Sequence, residues 1–319
     1  RAPGAPSPSP GPERNTAGAA AAARPGAVPG ARSPSPRPWL VWYGSSVGGF
    51  SGIYTAVAGN AGTERMVVGG GSYNAQPVLS PDRRRVAWTK GQETASVRSI
   101  WIAGADGSNP REIPLAKCAV YSVCEYRWPT FSGDGTRMAF MRGTANSTCT
   151  AAENCDEIVV YDTRSGLVSA VGYGDSPEWS PRRAEIAYSG SAGPEPRQAC
   201  EAMNCADREI RVVEVSGGEP QSRRVGSVLG YAPRFSPDGE WIAYQSAEAA
   251  ATAVVRRDGT QERLVVGCQQ PSWAPDGRLA CIMSVDGGSD VFLLDADDEP
   301  AQRLTFTRGA EAQFRIYAL

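Results

Sequence analysis

Short apolar runs alternate with polar turns along most of the chain. In the clearest copy, residues 241–244 read Trp-Ile-Ala-Tyr and follow the turn sequence Ser-Pro-Asp-Gly at residues 236–239. A short, unbroken run of β-branched and aromatic residues is typical of a strand buried on both faces. Pro, Asp and Gly are the residues that tight turns favour. The pattern therefore predicts a strand, a tight turn and a second strand.

The same unit occurs five times, and each copy begins with a proline. The five prolines are Pro77, Pro129, Pro177, Pro233 and Pro271. Their spacings of 52, 48, 56 and 38 residues leave room for four short strands in each unit. A variable repeat of about 40–50 residues with four strands predicts a β-propeller.

The repeated pattern, Pro-x-aromatic-Ser-Pro-Asp-Gly-x-x-Ile-Ala-aromatic, resembles the WD40-like PD40 repeat of TolB-type propellers. The resemblance covers residues 39–319 and implies an all-β fold. It implies no particular activity, because propellers include lectins, scaffolds, sensors and enzymes.

The two ends of the repeat region are each incomplete. Residues 39–71 supply only the second, third and fourth strands of a unit, and residues 312–319 could supply the missing first strand. Pairing them would remove exposed sheet edges. We therefore predict an all-β, six-bladed propeller over residues 39–319, closed by its N- and C-terminal strands.

A proline-rich tail precedes the propeller. Residues 1–38 contain ten Pro and ten Ala, too little large apolar surface to fold alone, so an extended conformation is expected. The Ser-Pro and Ala-Pro alternation resembles the hydroxyproline-rich glycoproteins of algal and plant walls. This resemblance implies glycosylation of the tail at Ser7, Ser9, Ser33 and Ser35.

Charge and hydropathy narrow the range of partners. Five Arg and one Glu give the tail a charge of +4, which leaves −6 on the propeller out of a net −2. An acidic propeller is not expected to bind nucleic acid, which requires a basic surface. No apolar run approaches the roughly 20 residues needed to cross a bilayer, so we predict no membrane span.

The sequence contains no histidine. This excludes Ser-His-Asp and Cys-His catalysis and histidine-containing metal sites. It also separates the chain from oligogalacturonate lyases, whose family chemistry uses metal-binding histidines. We predict no catalytic residue, no metal and no cofactor. The turn aspartates, Asp82, Asp134, Asp238 and Asp276, are expected to shape their turns. An acidic cluster, Asp295, Asp297, Asp298 and Glu299, is expected to be a solvated turn rather than a calcium site.

Six of the eight cysteines form three close pairs in polar loops. The pairs are Cys118 with Cys124, Cys149 with Cys155, and Cys200 with Cys205. We predict three disulfides and hence an oxidising compartment: secreted, cell-surface or periplasmic. Cys268 and Cys281 flank the fifth turn, and sequence leaves their pairing open. Asn146 begins an Asn-Ser-Thr sequon and is a candidate glycosylation site.

The paired cysteines lie in long loops that are predicted to share one face. Residues 117–126 join two blades, and residues 142–156 and 190–208 join second to third strands. Loops this long often bind partners.

We therefore expect a non-catalytic extracellular binding or assembly module that contacts protein or glycan. Its tail would tether it or dock on a neighbouring subunit, giving a homo-oligomer or surface filament. The alternatives are a monomeric TolB-like sensor or accessory propeller on a flexible stalk, and a carbohydrate-active enzyme with carboxylates in the central channel.

Overall fold

The computed structural model describes most of the chain from residue 39 onward. The described residues are 39–45, 52–70, 73–92, 95–115, 124–144, 156–191, 208–215, 219–285, 288–295, 297–306 and 312–318. Their regular structure is all β-strand, and within them there is no helix long and apolar enough to cross a membrane. The proline-rich tail lies outside the described residues.

The described residues contain twenty-four strands, which follow one another along the chain. The first twelve are β1 (Trp39–Ser45), β2 (Gly52–Val57), β3 (Arg65–Gly69), β4 (Tyr73–Leu79), β5 (Arg85–Gln92), β6 (Ala95–Gly104), β7 (Arg111–Glu112), β8 (Cys124–Phe131), β9 (Arg137–Thr144), β10 (Glu157–Asp162), β11 (Val168–Tyr173) and β12 (Asp175–Trp179). The others are β13 (Glu185–Ser191), β14 (Arg208–Glu214), β15 (Ser222–Arg224), β16 (Gly230–Phe235), β17 (Trp241–Ser246), β18 (Ala251–Arg256), β19 (Arg263–Val266), β20 (Gln269–Trp273), β21 (Leu279–Val285), β22 (Gly288–Leu294), β23 (Pro300–Arg303) and β24 (Ala312–Ala318).

The strands form six four-stranded antiparallel sheets, the blades. Blade 1 has the order β24-β1-β2-β3, and blades 2 to 6 each contain four consecutive strands, beginning at β4, β8, β12, β16 and β20. In blade 1, Trp39 lies opposite Ala318 and Val41 opposite Ile316. The predicted six-bladed propeller, closed by the two ends of the repeat region, is confirmed.

The second strand of a blade presents large side chains to one neighbouring blade and a small one to the other. In blade 4, Ile186 and Tyr188 pack in a cluster shared with blade 3, whereas Ala187 packs against blade 5. Successive strand residues point to opposite faces, so in blades 2 to 6 the alternation gives a filled face and a receiving face, whereas blade 1 has Trp42 at the alanine position. Fully buried alanines occupy this position in four other blades: Ala87, Ala139, Ala243 and Ala280.

The described apolar core is divided into six clusters, one between each pair of neighbouring blades. The cluster between blades 6 and 1 joins Phe314 and Ile316 of β24 to Val291 and Leu293 of β22. Ring closure therefore buries an interface of the same kind as the other five.

A serine and an aspartate hold the repeated turn between first and second strands. Ser80 Oγ donates to Asp82 Oδ1 (2.5 Å), which also accepts from the Arg84 amide (3.1 Å). The Ser80 hydroxyl, followed by the Arg84 amide, holds the pKa of Asp82 below its usual value. The same bonds recur at Ser132 with Asp134 and at Ser236 with Asp238. These aspartates shape the turns, as predicted.

The first strand of each blade lies nearest the axis, and in blades 2 to 6 this inner strand bulges just before its proline. The residues there have positive φ: Gln76 (60°), Trp128 (55°), Ser176 (51°), Ala232 (56°) and Gln270 (46°). Ala232 N donates to Ser189 Oγ (3.1 Å) and Gln270 N to Gln245 Oε1 (2.9 Å), both on the preceding blade. Since proline has no N–H, it is tolerated where the ladder is interrupted. The bulge thus fastens inner strands to the blades before them.

We expect Ala232→Gly to raise the free energy of unfolding by about 0.5–1 kcal/mol. Glycine adopts the left-handed conformation without strain, and the strain energy relieved is larger than the free energy lost through glycine's greater entropy in the unfolded chain. The backbone amide that donates to Ser189 is retained. Ala170→Gly is the control, because Ala170 is an exposed strand residue of β11. It should lower stability by about 0.5–1 kcal/mol. Urea unfolding of both variants measures these changes. If the free energy of unfolding fell in both variants, or rose in both, the strained bulge would be contradicted.

Candidate functional site: the central cavity

A cavity of about 570 Å³ lies at the centre of the ring. Its lining comes from the C-terminal ends of all six inner strands and from the turns after them. We call this end of the propeller the turn face. The opposite end, where second strands lead into third strands and blades join, is the loop face. The cavity's size is in the usual range for ligand pockets.

One residue from each inner strand lines the cavity at equivalent positions. In blades 2 to 6 it is the residue that follows the repeated proline, and in blade 1 it is the residue after Phe314. The six are Val78, Thr130, Glu178, Arg234, Ser272 and Arg315. The charged members belong to blades 4, 5 and 1. Blades 2, 3 and 6 therefore supply uncharged residues, and blades 4, 5 and 1 supply three charges.

An ion pair crosses the centre of the ring. Both terminal nitrogens of Arg315 in blade 1 donate to the two carboxylate oxygens of Glu178 in blade 4, each at 2.6 Å. Blades 1 and 4 are opposite one another in a six-membered ring, so this pair bridges the channel and floors the cavity. Burial disfavours the Arg315 charge, but the charge and hydrogen bonds of Glu178 outweigh it and raise the pKa of Arg315.

Arg234 is a second buried cation beside this pair. It is 7% exposed, and its Nη1 lies 3.9 Å from Glu178 Oε2. Nη1 donates to the Pro233 carbonyl at 2.8 Å, whereas the buried Nε has no hydrogen-bond partner. Burial, followed by the like charge of Arg315, lowers the pKa of Arg234. The floor carries two guanidinium groups and one carboxylate.

The wall above the floor is largely apolar. Phe131, Trp179 and Phe235 are buried side chains that line it. At the rim, exposed Arg83 and Arg182 point along the turn face and donate to backbone carbonyls of neighbouring blades. An incoming molecule therefore meets a cationic rim, an aromatic wall and a cationic floor.

Hydrogen bonds between blades fix the inner strands around this cavity. The Leu79 amide donates to Tyr317 Oη at 3.0 Å, and the Trp179 amide donates to Thr130 Oγ1 at 3.2 Å. Burial raises the pKa of Tyr317, so its hydroxyl stays neutral. The cavity is therefore preformed by the closed ring.

Carboxylates near the loop face are paired with arginines. The pairs include Glu125 with Arg98 and Arg127, Glu157 with Arg142, Asp175 with Arg208, and Glu209 with Arg211. They hold strand ends on blades 2 to 4, next to the predicted long loops. Among the described residues lining the central cavity, Glu178 is the only carboxylate.

Most of the predicted modification sites lie outside the described residues. These are Cys118, Cys149, Cys155, Cys200, Cys205, Asn146, Ser7, Ser9, Ser33 and Ser35. Cys124 is placed only as the first residue of β8. The three loop disulfides, the glycosylation sites and binding at the loop face stay predictions.

Cys268 and Cys281 form a disulfide in the structure, with Cα atoms 5.1 Å apart. Cys281 stands where other blades have an aromatic residue in the second strand, and both cysteines are fully buried in the cluster between blades 5 and 6. The bridge replaces aromatic packing at this interface.

The acidic cluster forms a turn. Asp295 Oδ1 accepts from the amides of Asp297 (2.9 Å) and Glu299 (3.1 Å), and Asp298 pairs with Arg263. Within the described part of the chain, no three His, Cys, Asp or Glu residues are grouped so that they could hold a metal ion.

Comparison with known proteins supports a TolB-type propeller. No protein-family model matches the chain. The Tol-Pal system protein TolB of Desulfosudis oleivorans (strain DSM 6200 / JCM 39069 / Hxd3) is 30% identical over 108 residues, covering 32% of this chain and 25% of TolB. The structure of TolB from Acinetobacter baumannii superposes with a TM-score of 0.64 at 13% identity, covering 88% of this chain and 66% of that one. The fold is that of a TolB-type propeller.

The TolB-type fold is shared with proteins of other kinds. A chain of the nidogen/laminin complex matches with a TM-score of 0.59 at 12% identity, covering 88% of this chain and 98% of that one. An oligogalacturonate lyase in complex with manganese matches at 0.53 and 12% identity, covering 83% and 74%. These likenesses concern fold alone. The match to the curated TolB spans only a quarter of its length.

Sequence reasoning missed Glu178, Arg234 and Arg315. A signal was present, because these residues stand at the variable position just before a large apolar residue of the inner strand, which is Trp179, Phe235 and Ile316 respectively. In the other three blades that position is uncharged. Charge at an otherwise apolar or small position of a buried repeat marks the residues that face the axis.

We expect Glu178→Gln to lower the free energy of unfolding by about 3–5 kcal/mol, because it leaves two buried guanidinium groups without a counter-charge. Arg234→Met should leave stability unchanged or raise it, since it removes the second of two buried cations that share the single carboxylate of Glu178. Combining the two should recover part of the Glu178→Gln loss. Urea unfolding of the three variants measures this cycle. If the two single changes lowered the free energy of unfolding equally, Glu178 would fully compensate the charge of Arg234, and the prediction would be wrong.

Proposed function

We propose that this chain is a non-catalytic propeller that binds a protein partner by receiving one of its segments in the central cavity. The observation that carries the proposal is the preformed cavity itself, with aromatic walls, a floor closed by the Arg315–Glu178 pair and an opening on the turn face. Aromatic and arginine side chains in concave, desolvated positions are typical of binding hot spots.

A binding role is favoured over paired-carboxylate catalysis. Glycoside hydrolysis by that route requires two carboxyl groups about 5–9.5 Å apart. Glu178 is held by Arg315 through both oxygens. Turnover of a glycan by the purified chain would overturn the non-catalytic part of the proposal.

The relatives are consistent with a protein partner. One matching structure comes from a nidogen/laminin complex, and the curated relative is a Tol-Pal system protein. The disulfide between Cys268 and Cys281 favours an oxidising compartment, so we propose that the protein is secreted or periplasmic.

A photo-crosslinking amino acid at Arg182 should capture the partner, because Arg182 is exposed at the cavity rim. The same group at Leu167, which is 72% exposed at the outer edge of the turn face, is the matched control. Tyr173, at the other end of β11, samples the loop face. Mass spectrometry of adducts formed in native cells distinguishes the three positions.

Adducts at Arg182 and none at Leu167 are expected. Equal labelling at Arg182 and Leu167 would contradict partner entry into the cavity. Labelling at Tyr173 alone would move the binding site to the loop face, where the long loops predict it.

The assembly part of the proposal concerns residues 1–38. A proline-rich segment loses little entropy when it docks in an extended conformation, so it suits a tether that binds a neighbouring subunit. Deleting residues 1–38 should convert an oligomer to a monomer, as measured by light scattering. Unchanged mass would favour the flexible stalk of a monomeric sensor or accessory propeller.

A further inference from the structure

We propose that the floor of the central cavity is a carboxylate-binding site in which Arg234 receives a carboxylate of the bound protein segment. The carboxylate is an acidic side chain or the C-terminus of that segment. The inference rests on the proposed function and specifies the chemistry of the partner.

The first argument is the charge of the floor. Arg315 engages both oxygens of Glu178 at 2.6 Å, whereas Arg234 lies 3.9 Å from the nearer one. Two cations therefore share one anion in a site that is closed to water on the blade side. A buried charge without its own partner is costly, and an entering anion would compensate it.

The second argument is the donor left over on Arg234. Its side chain is 8% exposed and lines the cavity, and its Nε has no hydrogen-bond partner. Arg257 and Arg263 also have an unpartnered buried Nε, but each is paired with a carboxylate of its own, Glu185 and Asp298 respectively. Arg234 therefore combines an unpartnered buried donor with a long, 3.9 Å contact to a carboxylate that Arg315 already engages through both oxygens.

The third argument concerns which anion fits. The floor has one unit of excess positive charge, and the planar guanidinium fork matches the planar carboxylate. A phosphate carries close to two negative charges at neutral pH and would lie against Glu178. Trp179 and Trp273 on the wall suit the apolar part of an amino acid.

The approach to the floor is also cationic. Arg83 and Arg182 are exposed at the rim, and both line the cavity. Positive charge around a concave opening attracts anions and speeds their association. The aspartates Asp82, Asp134 and Asp238 lie in the same set of turns, where serine hydroxyls and backbone amides donate to them.

The test is an NMR titration of the arginine Nε–Hε signals of the full chain. The probes are the peptide N-acetyl-Ala-Ala-Leu with a free C-terminal carboxylate, the same peptide as its C-terminal amide, sodium acetate and inorganic phosphate. The Arg234 signal is assigned by its loss in Arg234→Met, and Arg263→Met identifies the matched control signal.

We expect the Arg234 signal to shift saturably with the free-carboxylate peptide and with acetate, and not with the amide, while the Arg263 signal stays in place. A bidentate, charge-assisted contact is strong enough that Arg234→Met should weaken peptide binding about tenfold or more. Arg263→Met should leave it unchanged. If Arg234→Met folds poorly, Arg234→Lys, which keeps the positive charge and lacks the Nε–Hε group, assigns the signal instead.

Three results would overturn the proposal: no saturable shift at Arg234, equal shifts with carboxylate and amide, or tighter binding of phosphate than of the carboxylate peptide. If the carboxylate fails to bind but crosslinking at Arg182 still captures a partner, the proposed function stands and this inference alone fails. If the carboxylate binds and no partner is captured at Arg182, the carboxylate site stands and the proposed binding of a protein partner fails.

Discussion

Five of the six blades depend on the contact between the large face of their second strand and the small face of the blade before them. Tyr188 fills the gap toward blade 3, and Ala139 of blade 3 leaves the space for it. Pairing a large residue with a small one fills the interface without voids, whereas between blades 1 and 2 large residues meet from both sides, Trp42 with Val86 and Trp88. Because the six interfaces form a ring, a displacement of one blade also shifts the blades at the closing interface, where Phe314 packs between blades 6 and 1.

The same alternation places the site. When second strands stack face to face, the inner strands are brought to the axis with their C-terminal ends together. Each then contributes one residue to a common cavity, so six positions far apart in sequence become neighbours. The Arg315–Glu178 pair joins residues 137 positions apart in the chain. The scaffold supplies rigid positions, and the residue placed at each decides the chemistry.

Ring closure links stability to binding. β24 pairs with β1 to complete blade 1, and it also carries Arg315 and Tyr317, which contact blades 4 and 2 respectively. The strand that seals the ring is therefore also the one that supplies the cavity floor. A propeller that failed to close would lose the interface between blades 6 and 1 and the ion pair together.

The chain's local patterns were enough to predict the all-β class, the number of blades, the closing strand and the role of the turn aspartates, because each depends on residues close in sequence or on a repeated spacing. The repeat position singles out the three charged residues of the floor, but not their burial or the pairing of Arg315 with Glu178 across the ring. Glu178, Arg234 and Arg315 are ordinary surface-type residues in the linear sequence. Only the closed ring removes them from water and brings them within a few ångströms of one another. Burial then strengthens the electrostatic interactions between their charges.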